Sequence, residues 1–127
     1  MERHGGFLLV DTLIDHGVTH VFGMPGGQAN AFYDALIHRK EEITHILIRD
    51  ETTAGYAADA FARVSGRIGV CDATVGPGSA KLPSGLMEAY NSSIPILAII
   101  SDHPRDAVLL QDFGRISQGG DQISMLE

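Results

Sequence analysis

Three things are scarce in this sequence, and each closes off a class of function. Cysteine occurs once, at Cys71, so no internal disulfide is possible and a secreted disulfide framework is excluded. A lone thiol of this kind reads as a small core residue. Basic residues are also few. Nine Lys and Arg against sixteen Asp and Glu give a net charge of −7, with no lysine-rich run to follow a phosphate backbone, so nucleic acid is not an expected partner. Long apolar runs are missing as well. The longest, Ile94 to Ile100, is interrupted by Pro95 and falls well short of the ~20 residues that a membrane helix needs. The opening Met1-Glu2-Arg3-His4-Gly5-Gly6 does not resemble a secretory signal. Together these features predict a cytoplasmic chain that does not engage a membrane.

Two chemistries are equally thin. His4, His16, His20, His38, His45 and His103 are scattered, with no second histidine or carboxylate at ligand spacing. His16 and His20 do not share a helical face, because Gly17 lies between them and His20 opens a strand. No metal site is expected within this chain, and no serine sits in a nucleophile-elbow pattern.

What is present is an ordinary globular composition: 127 residues, 44% hydrophobic and 20% charged. That length supports one domain, residues 1–127, which buries roughly two thirds of its unfolded surface. Short apolar runs recur at His20 to Phe22, His45 to Ile48, Ile68 to Cys71 and Ile96 to Ile100. Because none alternates with polar residues over its full length, they read as strands covered on both faces of a parallel sheet. Between them the period becomes helical. Phe7, Val10, Leu13 and Ile14 precede a stop at Gly17. Phe32, Ala35 and Leu36 mark a second helix. Ala54, Ala57, Ala58, Phe61 and Val64 mark a third, with Asp50 as N-cap and a stop before Gly66. Leu82, Leu86, Ala89 and Tyr90 mark a fourth, ending near Asn91 and Ser92. Right-handed crossovers turn this order into an α/β domain: a three-layer open sheet of mostly parallel strands flanked by helices. Residues 101–127 read as a loop-rich tail, in which Val108 to Leu110 is the only apolar cluster before Asp121.

Two glycine-rich loops follow strand ends, where ligands bind in open α/β sheets. They are Gly23-Met24-Pro25-Gly26-Gly27-Gln28-Ala29-Asn30 and Thr74-Val75-Gly76-Pro77-Gly78-Ser79-Ala80-Lys81. Neither completes a phosphate fingerprint: Lys81 stands where a dinucleotide motif needs its third glycine, and it lacks the neighbours of a P-loop lysine.

Four strings, taken together, resemble the pyrimidine-binding domain of thiamine-diphosphate enzymes, closest in pattern to acetolactate synthases and 2-oxo-acid decarboxylases. They are Val21-Phe22-Gly23-Met24-Pro25-Gly26-Gly27, Arg49-Asp50-Glu51 running on to Gly55-Tyr56-Ala57-Ala58-Asp59-Ala60-Phe61-Ala62-Arg63, Gly76-Pro77-Gly78-Ser79-Ala80, and Ala89-Tyr90-Asn91-Ser92-Ser93-Ile94-Pro95. They stand in the family's order and cover nearly the whole chain.

The resemblance implies that Glu51 is the catalytic glutamate, hydrogen-bonded to a pyrimidine ring nitrogen of the cofactor. A carboxyl there favours the imino tautomer whose amine removes the proton from thiamine's weakly acidic carbon, and a carboxyl in an apolar site keeps its proton to higher pH. The plain structural alternative for Glu51 is an acidic first-turn residue favoured by the helix dipole. Pro25, Gly26, Gly76 and Pro77 would pack main chain against the ring, with Lys81 beside them as a further cofactor-side residue. Gln28, Ala29 and Gln118 would face the substrate, a 2-oxo acid. Two departures bear on that site: many synthases carry His at the position of Asp50, and relatives often carry Asn at that of Lys81. The family's diphosphate and Mg2+ site needs a Gly-Asp-Gly motif, and Gly119-Gly120-Asp121, the nearest string, lacks the second flanking glycine. Thiamine diphosphate would therefore be shared with a partner domain that holds Mg2+, in a homo-oligomer or on another subunit. Further family strands are expected beyond Glu127, so the domain reads as truncated at its C-terminal end. Two other readings stand beside this one: a non-catalytic assembly partner, and a generic nucleotide or anion binder using the glycine loops.

Overall fold

A computed structural model describes residues 3–104, 118 and 121–126. Helix α1 (Gly5–Asp15) leads into strand β1 (His20–Gly23). A 3-10 turn (Gly27–Ala29) runs into α2 (Asn30–His38), followed by β2 (Thr44–Leu47), α3 (Glu51–Ser65), β3 (Gly69–Ala73), α4 (Pro77–Asn91) and β4 (Ile96–Ile100). The four strands form one sheet in the order β2-β1-β3-β4, and every pairing is parallel.

Alternate residues of the strands feed two separate cores, as the pleat requires. Val21 and Val70 face α1 and α2 and pack with Phe7, Val10, Leu13, Phe32 and Leu36. Phe22, Cys71 and Ala73 face the other way, onto Ala54 and Ala58 of α3 and Leu82 of α4. Burying each large side chain is worth ~1.5–3 kcal/mol. The three-layer α/β architecture predicted from the apolar runs is therefore the observed one. Cys71 is fully buried in the second core, where desolvation pushes its thiol up to about 12.

Strand positions agree with the sequence reading to within two residues, but the burial of β2 does not. Its residues are mostly exposed, Leu47 by 58%, because β2 is an edge strand of this sheet, as is β4, and among the described residues no helix covers both its faces. A run of apolar residues thus marks a strand without fixing its depth.

Helix limits follow local chemistry. Asp50 caps α3, its Oδ2 accepting the Thr53 N–H at 3.1 Å, and Gly66 closes the helix at φ +67, a left-handed conformation that costs glycine nothing. The second glycine loop is shorter than the sequence suggested. Only Thr74 to Gly76 forms a turn, since α4 begins at Pro77 and runs through Pro83. Proline at the first helical position gives up an N–H that would have no helical partner anyway. The first loop is shortened in the same way, by the 3-10 turn and the start of α2. In the tail, Val108 to Leu110 and Gly119-Gly120 lie outside the described residues.

Candidate functional site

The parallel sheet sends the C-terminal ends of β1, β2 and β3 to one edge of the molecule, and three of the four sequence strings meet there, while Ala89 to Pro95 lies at the far end of α4. Glu51 follows the β2–α3 connection as the first residue of α3 and is only 4% exposed. What buries it is the close approach of α3 and α4. Gly55 and Gly85 lie back to back, and a Cβ on Gly85 would collide with the Thr52 carbonyl oxygen. The same approach sets the Glu51 carboxyl over α4: a Cβ on Gly78 would stand 3.0 Å from Glu51 Oε1.

Charge around that carboxyl comes from two neighbours. Lys81 Nζ lies 3.2 Å from Asp50 Oδ1 and 3.8 Å from Glu51 Oε2, at the exposed rim. The Thr53 N–H and the Lys81 ammonium hold the Asp50 carboxyl below the usual carboxylate range. Thr52 Oγ1 donates to the Lys81 carbonyl at 2.9 Å, a second tie between the two helix starts. The two positions at which this chain departs from family pattern therefore pair with each other beside Glu51.

Thr74 joins the two glycine turns, a role that its place at the head of the second loop did not reveal. Its side chain fills the space that a Cβ on Gly26 would need, and its Cγ2 lies 3.0 Å from where a Cβ on Gly78 would be. Its Oγ1 is buried and has no hydrogen-bond partner among the described residues. Pro25 is exposed and Gly26 half-buried above it. Gly76 adopts φ +69 and ψ −115, and its Cα faces the main-chain oxygen of Gln118. Of the residues expected near substrate, Gln28 is exposed, Ala29 is buried at 6%, and Gln118 meets the site through its backbone.

A second polar cluster, also unread in the sequence, lies under the sheet's other face. Tyr33 Oη donates to Asp72 Oδ2 at 2.6 Å, and His45 Nε2 lies 3.0 Å from Tyr33 Oη and 3.5 Å from Asp72 Oδ1. Burial and the Asp72 carboxylate push the Tyr33 phenol well above its ordinary value. Gly23 is needed beside it, because a Cβ there would overlap the Asp72 carboxylate.

A cavity of about 550 Å³ opens near Thr19 and Arg67 at the N-terminal ends of the strands, remote from Glu51. In open α/β sheets ligands bind at the carboxyl ends, and we place the site there. Among the described residues, no group of three or more His, Cys, Asp or Glu side chains could hold a metal ion, and no helix is long and apolar enough to cross a membrane.

Strand-end glycine turns and a buried first-turn glutamate thus meet at the carboxyl edge of a parallel α/β sheet. Residues 3–125 match the family described as thiamine pyrophosphate enzyme, N-terminal TPP binding domain, and the chain belongs to that family. It is 46% identical over 114 residues to an acetolactate synthase of Arthrospira platensis, covering 88% of this chain and 20% of that protein. It is 48% identical over 100 residues to an acetolactate synthase large subunit of Pyropia yezoensis, covering 77% of this chain and 17% of the relative. An acetolactate synthase of Mycobacterium bovis is 43% identical over 95 residues, 75% of this chain and 15% of its own length. The chain thus spans a fifth or less of the relatives it matches.

Proposed function

We propose that this chain is the half-site that receives the pyrimidine ring of thiamine diphosphate in an acetolactate-synthase-like enzyme, one that decarboxylates or joins 2-oxo acids. The observation that carries the reading is the Glu51 carboxyl, buried at the C-terminal edge of the sheet with bare glycine backbone, Gly78, beneath its Oε1. A carboxyl meets a ring nitrogen, and glycine main chain offers a flat ring a surface without a Cβ in the way. Thr74 Oγ1, buried and without a partner among the described residues, adds a hydroxyl between the two turns. This donor set fits an aminopyrimidine.

When bound, thiamine diphosphate supplies the carbanion chemistry. The work of this chain is to hold and orient. Glu51 would share a proton with the ring nitrogen. Pro25, Gly26, Gly76 and Pro77 form the main-chain walls, with Lys81 at the rim. Gln28, Ala29 and Gln118 lie toward the 2-oxo acid. The diphosphate and Mg2+ belong to a partner domain, contributed by a second copy or by another subunit, and the enzyme works in the cytoplasm.

The test is Glu51→Gln in the assembled enzyme. It removes the shared proton and keeps the shape, so turnover should fall by about 10²- to 10⁴-fold while the thermal unfolding transition stays in place. Undiminished turnover would remove the catalytic role of Glu51. A wild-type assembly that binds no thiamine diphosphate would favour a non-catalytic assembly partner.

A further inference from the structure

Gly76 is held at both ends of its peptide unit, and the two holds come from different parts of the chain. Its carbonyl accepts from Ser79 Oγ at 2.8 Å and from the Ala80 N–H at 2.9 Å, both within the first turns of α4. Its N–H donates to Gln122 Oε1 at 3.3 Å, a residue 46 positions further along the chain. Gln122 is only 5% exposed, in a stretch otherwise largely exposed. Its other amide atom, Nε2, donates to Asp102 Oδ1 at 2.9 Å, and that oxygen also accepts the His103 N–H at 2.7 Å. A carboxylate only accepts, so Asp102 fixes the orientation of the Gln122 amide and aims its oxygen at Gly76.

The conformation of Gly76 makes this outside hold consequential. At φ +69 and ψ −115 the residue lies where only glycine is comfortable, and glycine has many other conformations open to it. No side chain caps α4 at this point, and the local contacts through Ser79 and Ala80 hold only the carbonyl of Gly76, leaving its N–H to the distant Gln122. An N–H shielded from water, as that of half-buried Gly76 partly is, is costly to leave unpaired, and the Gln122 oxygen gives it a partner in this arrangement. Asp102 lies just past β4, so the amide ties the end of β4 to the turn after β3.

We infer that Gln122, oriented by Asp102, is a positioning residue that locks the Gly76 turn in the conformation that receives the pyrimidine ring. The function in this inference rests on the proposed cofactor site, whereas the lock itself does not. Gln122 touches no reacting group and acts through Gly76.

The test uses the assembled enzyme with two readouts: hydrogen exchange at the Gly76 amide without cofactor, and calorimetric titration with thiamine diphosphate. Gln122→Met keeps the volume and loses the acceptor. It should speed Gly76 exchange and raise the Kd by about fivefold, the worth of one net hydrogen bond, with little change in global unfolding. Gln122→Glu sets a second carboxylate against Asp102 and should behave similarly. The double variant Gln122→Glu with Asp102→Asn restores a donor facing an acceptor and should recover both readouts. Unchanged Gly76 exchange in Gln122→Met would overturn the lock. Faster exchange with unchanged Kd would overturn the positioning role. If the unsubstituted enzyme binds no thiamine diphosphate, the proposed function fails, and the exchange measurement alone decides the lock.

Discussion

Gly55 on α3 and Gly85 on α4 meet with no side chain between them: a Cβ on Gly55 would stand 2.8 Å from the Gly85 carbonyl carbon. This contact sets how closely the two helices pass, and through it how near the Glu51 carboxyl comes to Gly78. Helix spacing is thus part of the chemistry of the site.

Gly85→Ala follows as the sharper test of that spacing. The added methyl would overlap the Thr52 carbonyl oxygen, a main-chain atom that cannot swing aside. Alanine gains about 1 kcal/mol in helix propensity over glycine, but forcing apart a packed crossing costs typically 1–3 kcal/mol or more. We expect a net loss of stability, larger for Gly85→Ala than for Gly55→Ala, read as a lower urea midpoint at unchanged m-value. A raised midpoint for Gly85→Ala would mean that the helices separate freely.

Asp50 and Lys81 make a prediction about acid. Asp50 caps α3, and its carboxyl is held below the usual range by the Thr53 N–H first and by Lys81 second. Its folded pKa is below its unfolded value, so its stabilisation is present above the ordinary carboxylate pKa of about 4 and is lost as pH falls through the depressed value. Asp50→Ala should lower the unfolding midpoint at neutral pH through loss of the N-cap and flatten the acid limb of a stability profile below pH ~4. Lys81→Met should cost less, within the ~0–1 kcal/mol typical of exposed ion pairs. Equal losses for the two variants at neutral pH would show that the ion pair, not the cap, carries the effect.

Much of this fold was legible because its strands are apolar and short and its helices carry their own stops. His20 and Ile96 open strands where the runs begin, Asp50 caps α3, and the helix before Gly66 ends there. The start of α4 was not legible. Gly76-Pro77-Gly78 has turn chemistry, and only the tertiary contact with α3 shows why Gly78 and Gly85 belong to a helix. At the site, Glu51 and the glycine strings could be found in sequence because they lie in contiguous motifs. Thr74, Gln122 and the Tyr33–Asp72–His45 cluster could not. Each acts across tens of residues through one hydrogen bond or one packed methyl, and no local pattern records that. The exposure of β2 was missed because an apolar run looks the same at a sheet edge as in the middle.

The buried acids Cys71 and Tyr33 predict an alkaline limb. Desolvation first, then the neighbouring Asp72 charge, lifts the Cys71 thiol from 9.0 to about 12. Desolvation first, then the hydrogen bond to Asp72, lifts the Tyr33 phenol from 10.0 to well above it. Both folded pKa values lie above the unfolded ones, so the stabilisation is complete below the unfolded values and is lost as pH rises. Between pH 9 and 10 only the unfolded thiol ionises, so Cys71 should contribute a decline approaching 1.4 kcal/mol per pH unit, the value for one proton. Above pH 10 Tyr33 should add a similar slope. Cys71→Ala loses packing at every pH, since the side chain is fully buried. Its diagnostic is the slope, because the decline between pH 9 and 10 should shrink to the smaller share that Tyr33 contributes there, while that above pH 10 remains. Urea unfolding across this range, with wild type and variant side by side, measures it. Parallel curves for the two proteins would mean that the Cys71 thiol ionises as readily in the folded chain as in the unfolded one.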